Sequence, residues 1–153
     1  LMAVLSPLAG KLSDKLNPGR MASAGMAITA TGLLLLCTIS ENTALIYIIS
    51  MLALIGAGFG LFSSPNSNAI MSSVERKQLG NASGMTGTVR MVGQTMSMGI
   101  AMMLIAIFMG KEKVTPENNL QFMAAMKTGF IVFSALCIIG VFASLQRNKD
   151  LTR

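Results

Sequence analysis

Four long segments, residues 21–39, 44–72, 82–109 and 128–145, carry a single charged side chain between them, Arg90. Each approaches or exceeds the ~18–20 apolar residues that span a ~30 Å hydrocarbon core. A water-soluble fold of this size has no interior large enough for four such segments, and only 12% of the residues are charged, so the expected class is an all-α integral membrane protein. Leu1-Met2-Ala3-Val4-Leu5 has neither a charged leader nor a small-residue cleavage site and reads as the tail of a membrane helix. The reading is therefore about four and a half transmembrane helices in a fragment of a larger bundle. They are placed at 1–9, 21–39, 44–72, 82–109 and 116–145, with loops at 10–20, 73–81 and 146–153.

The net charge of +6 does not indicate a nucleic-acid surface, because the basic residues are dispersed and lack neighbouring aromatics for base stacking. Topology accounts for it. With 10–20 on the cytoplasmic side, alternation puts Lys11, Lys15, Arg20, Arg76, Lys77, Arg147, Lys149 and Arg153 inside. Outside, Glu41 stands alone at 40–43, and Lys111 and Lys113 are balanced by Glu112 and Glu117. Every turn follows the positive-inside bias, which predicts a multi-pass protein of the cell (inner) membrane with a cytoplasmic C-terminus.

The chain has no histidine, and its two cysteines, Cys37 and Cys137, lie in separate apolar segments. No metal set, nucleophile triad or phosphate-binding glycine loop is present, so neither an enzyme nor a cofactor is expected. The cysteines read as packing residues.

Gly25, Thr29 and Gly32 fall on one helical stripe, as do Cys137, Gly140 and Ser144, and such stripes let a neighbouring helix approach closely. In 44–72, Gly56, Gly58 and Gly60 precede Ser63-Ser64-Pro65-Asn66-Ser67-Asn68. Pro65 removes a backbone donor and crowds the carbonyl four residues earlier, predicting a kink near 61–64. Freed polar groups are tolerated beside protein or a water-filled cavity, which makes Asn66 and Asn68 candidate pathway residues; the alternative is a helix leaving the bilayer. Thr115-Pro116-Glu117 reads as a helix start, with Thr as N-cap, Pro in the first turn and an acid near the dipole's positive end.

Ser83, Thr86, Gly87, Arg90, Gln94, Ser97 and Ala101 share one face of the 82–109 helix. A guanidinium facing lipid is disfavoured by a few kcal/mol, so Arg90 faces protein, a water-filled pathway, or the nearby headgroups. Gln94, one turn deeper, has no interfacial escape and joins the candidates for the pathway. No carboxylate lies at membrane depth: Asp14, Glu75 and Asp150 sit by inner turns, and Glu41, Glu112 and Glu117 by outer ones. A proton carrier would belong to another part of the protein.

Two motifs resemble the major facilitator superfamily, and within it the fourteen-helix drug:proton antiporter branch. Gly10-Lys11-Leu12-Ser13-Asp14-Lys15, with Arg20 beyond it, resembles the superfamily's cytoplasmic Gly-x-Leu-x-Asp-Arg/Lys signature, with Asn17 standing where the family usually has Gly. Gly58-Phe59-Gly60 through Pro65-Asn66, Ala69-Ile70-Met71, Gly80-Asn81-Ala82-Ser83-Gly84 and Arg90-Met91-Val92-Gly93 resemble that branch's third- and second-to-last helices. The resemblance implies alternating access by two bundles around a midplane site, with the missing N-terminal bundle, the lipid bilayer, protons and a small amphipathic or hydrophobic substrate as partners. It also implies a cytoplasmic gate at Gly10, Asp14, Lys15 and Arg20, in which Asp14 caps a helix or pairs with Lys15 or Arg20.

The leading expectation is a secondary active transporter, a proton-coupled multidrug exporter of which this chain is the C-terminal portion, with Asn66, Asn68, Arg90 and Gln94 as candidate pathway residues. A metabolite or organic-anion permease of the same superfamily is the alternative within transport. A small stand-alone membrane scaffold is the alternative from another class.

Overall fold

The structure, a computed structural model, describes residues 18–40, 42–110 and 118–150, with the side chains of 19 and of 21–144 within those ranges. The expected helix at 1–9, the gate residues Gly10, Asp14 and Lys15, and the helix start at Thr115 lie outside the described residues, as does the side chain of Arg20. Among the described residues all regular structure is helical: α1 Pro18–Leu36, α2 Leu45–Ser72, a 3₁₀ turn Arg76–Gln78, α3 Leu79–Met109 and α4 Asn119–Asp150.

Helix ends differ from the sequence expectation for local reasons. α1 opens at Pro18, whose fixed φ and missing N–H suit a first turn. It closes at Leu36, because the next residues wind more tightly: Cys37, Thr38 and Ile39 donate to the carbonyls of Leu34, Leu35 and Leu36, three residues back. Its apolar stretch Met21–Leu36 is consequently shorter than a full span, and three rather than four of the described helices are long and apolar enough to cross a membrane. α4 continues to Asp150 instead of ending at 145, since nothing in Gln146-Arg147-Asn148-Lys149 breaks a helix and cations are favoured at its C-terminal end.

α1 is the centre of the packing, with α2 on one side and α4 on the other; α3 packs on α4 and meets α2 only slightly. The α1–α2 crossing is antiparallel, pairing Gly25 with Phe62, Thr29 with Gly58, and Gly32 with Ile55. A Cβ added to Gly25 would lie 2.6 Å from the Phe62 nitrogen and 2.7 Å from the Gly58 carbonyl oxygen. Glycine there is what allows one backbone to rest on the other. The stripe Gly25, Thr29 and Gly32 thus serves as the face for α2.

A second face of α1 meets α4, also antiparallel. Ser23 Oγ lies 2.9 Å from Ser144 Oγ, Met26 reaches Gly140, and the fully buried Ser134 donates to the Ala30 carbonyl at 3.3 Å. Without a hydrophobic driving force between helices in lipid, small groups and such hydrogen bonds hold the bundle. The α1–α2 turn is tied by the Tyr47 hydroxyl, which donates to the Leu35 carbonyl at 3.0 Å.

Candidate functional site

α2 runs unbroken through Pro65, which is among the most completely buried of the described side chains. The proline leaves the carbonyl of Leu61 without its helical donor, in the stretch where the α2 backbone rests on Gly25 of α1. The residues that follow are polar: Asn66 is half-buried and Asn68 exposed.

Because α3 leans on α4, through the buried Leu104 and Met109 near its C-terminal end, its N-terminal half stands apart from α2. Between them lies a cleft of about 700 Å³. α2 lines it with Phe59, Phe62, Ser63, Asn66 and Ile70. α3 contributes Asn81, Ala82, Met85, Thr86, Val89 and Arg90, a single face by its spacing, and Val74 and Gln78 close the end at the connection. The volume suits a drug-sized organic molecule.

The cleft is apolar with a few polar groups. Phe59 and Phe62 form a tilted aromatic pair with ring centroids 6.5 Å apart. The Thr86 hydroxyl is already committed, donating to the Ala82 carbonyl at 2.7 Å. The Asn66, Asn81 and Gln78 amides and the exposed Arg90 guanidinium therefore supply the polar contacts open to a guest. Arg90 lies eleven residues into α3, roughly 16 Å along the helix, and lines the same cleft as Phe62 of α2.

Of the residues the sequence singled out, Asn66 and Arg90 share this cleft. Asn68 and Gln94 do not line it; both are exposed, Asn68 on another face of α2 and Gln94 one turn beyond the cleft on α3. The polar stripe of α3 divides accordingly, with Thr86 and Arg90 on the cleft while Ser97 and Ala101 are partly covered toward the α4 end. Sequence reasoning missed Asn81, Phe59 and Phe62. Starting α3 at 79 instead of 82 would have exposed the i, i+4, i+8 series Asn81, Met85, Val89 beside Arg90. The aromatics carried no such signal, since an apolar ring looks the same whether it faces lipid or a guest.

The model of the Major Facilitator Superfamily matches residues 1–151. The uncharacterized transporter YebQ of Escherichia coli (strain K12) is 33% identical over 146 residues, covering 95% of this chain and 30% of that protein. The riboflavin transporter RibZ of Clostridioides difficile (strain 630) is 22% identical over 152 residues, covering 98% and 33%. Multidrug resistance protein Stp of Mycobacterium tuberculosis (strain ATCC 25618 / H37Rv) is 28% identical over 108 residues, covering 71% and 20%. The chain spans about a third or less of the length of these curated relatives. No solved structure matches the chain.

Proposed function

Because the chain belongs to the Major Facilitator Superfamily, we propose that it forms the C-terminal portion of a secondary active transporter, a proton-coupled exporter of amphipathic or hydrophobic compounds in the fourteen-helix drug:proton antiporter branch. The observation that carries this reading is the α2–α3 cleft, an apolar, aromatic-walled space with Asn66, Asn81 and Arg90 on its rim. Such a surface binds amphipathic molecules by burial and orients them by a few polar contacts. The similarity to a multidrug resistance protein supports the branch. The relative named as a riboflavin transporter favours a second reading, a permease for a defined metabolite.

In this reading the partners are the bilayer, the remaining helices of the same protein and protons carried by a carboxylate outside this chain. The exposed face of α3, where Gly80, Gly84 and Gly87 meet nothing within 4 Å, is the surface on which those helices move. The Arg76–Gln78 turn and the C-terminal end of α4 lie on the cytoplasmic side of the cell membrane, as their Lys and Arg content favours. Gly10, Asp14, Lys15 and Arg20 form the cytoplasmic gate motif.

The test is substrate export by the complete protein in everted membrane vesicles. Arg90→Ala and Asp14→Asn are each expected to reduce export at least about tenfold, the scale of one lost charge-assisted contact, while membrane abundance holds. Full export by both variants would return these residues to topology and packing.

A further inference from the structure

Among the described residues, the cleft wall contains one ionised side chain, Arg90, and no carboxylate. Ser63, Asn66, Gln78, Asn81 and Thr86 are neutral, and the remainder are apolar. In the α2–α3 connection the exposed Glu75 is outnumbered by the exposed Arg76 and Lys77. A guest in this space therefore meets the positive field of Arg90, which has to be weighed against the aromatic wall. Aromatic faces attract cations, here by a few-fold at an exposed site. A guanidinium ~6 Å from a unit charge, at the effective dielectric of a protein surface, favours an anion or disfavours a cation by about a hundredfold. Arg90 is exposed, and screening reduces that factor to about tenfold, which still exceeds the aromatic contribution.

We infer that the α2–α3 cleft selects anionic over cationic aromatic amphiphiles, with Arg90 as the residue that sets the sign. The ring system of the guest lies against Phe59 and Phe62, and its sulfonate, carboxylate or phosphate lies at Arg90, with the Asn66 and Asn81 amides as additional donors. This deepens the transport reading and rests on it only for the movement of the guest, since binding is measured separately.

The test uses the complete protein in nanodiscs and three probes: 8-anilinonaphthalene-1-sulfonate, its neutral parent N-phenyl-1-naphthylamine, and ethidium. The wild type is expected to bind the sulfonate about tenfold more tightly than Arg90→Gln does. Arg90→Lys should retain most of that affinity, the neutral amine should bind both forms alike, and ethidium should gain on Arg90→Gln. Equal sulfonate binding by wild type and Arg90→Gln would overturn the inference. So would a matching loss of the neutral amine, which would make Arg90 a packing residue, or a wild type that prefers ethidium. If Arg90→Gln fails to fold, the wild-type order of the three probes decides. Arg90-dependent sulfonate binding without movement across proteoliposomes would leave this inference standing and remove the transport reading.

Discussion

α1 and α3 are both apolar helices rich in glycine and small residues, yet α1 is packed on two faces and α3 on one, against α4. Ala22, Ala30 and Leu36 of α1 are 1%, 4% and 3% exposed, whereas Met85, Met91 and Met98 of α3 are 72%, 69% and 65% exposed. Their glycines differ in the same way. Gly25 touches backbone across a helix crossing, while Gly84, Gly87 and Gly93 have nothing within 4 Å. A helix of α1's kind is a strut whose small residues are consumed by its neighbours. A helix of α3's kind retains its small residues and its polar edge for something that approaches it, and in lipid it can do so without the penalty that water would impose on exposed methionines.

Substitutions can break this contrast. The largest effect is expected where backbones touch: Gly25→Leu and Gly58→Leu force α1 and α2 apart, and size-exclusion chromatography of the detergent-solubilised complete protein should show most of the folded species lost. Recovery of either variant at wild-type yield would mean that the crossing is looser than the structure has it. Next in size is accessibility. In a Cys37→Ser, Cys137→Ser background, a thiol at Thr86→Cys should react with a water-soluble maleimide at least about tenfold faster than one at Ala30→Cys. Equal rates would mean that the cleft is filled in the complete protein.

Smaller effects sharpen the comparison. Ser134→Leu overfills a site that is 0% exposed and should lower stability by about 1–3 kcal/mol. Ser134→Ala, which loses only the bond to Ala30, should lower it by about 0.6 kcal/mol. Thermal unfolding in detergent separates the two. The smallest change is expected at Gly84→Ala, which adds a methyl in open space and removes a flexible residue from a helix, raising stability by up to about 1 kcal/mol. The identical substitution at Gly25 should have the opposite sign. A stability loss at Gly84 as large as that at Gly25 would show that α3 is as tightly packed as α1 in the complete protein.

Much of the bundle was legible in the sequence because a membrane helix satisfies its own backbone, so that length and apolarity alone place it. α2 follows the expected 44–72 to within one residue. The Gly25, Thr29, Gly32 stripe could be read as a packing face because small residues at helical spacing have one physical use. The ends of α1 and α4 were not legible, since tight turns after Leu36 and a polar helical extension to Asp150 change neither hydropathy nor charge. Pro65 lies inside a helix that continues across it, because the packing that buries the proline offsets the loss of one hydrogen bond.

At the candidate site the division is sharper. Asn66 and Arg90 stood out because an amide and a guanidinium are rare within apolar segments, and Asn68 and Gln94 stood out by the same rule although they line nothing in common with them. Residue type and helical phase are properties of one helix, and they determined the class of protein, the approximate spans, the sidedness expected of its loops and a short set of polar candidates. Which of those candidates share a cavity, that Phe59 and Phe62 form its wall, and that α1 is buried while α3 is not, depend on how four helices cross. Those crossings follow from where backbones can touch, at Gly25 with Gly58, and from where a buried hydroxyl reaches a carbonyl, at Ser134 with Ala30, and such a pairing between residues distant in the chain exists only once the helices are assembled.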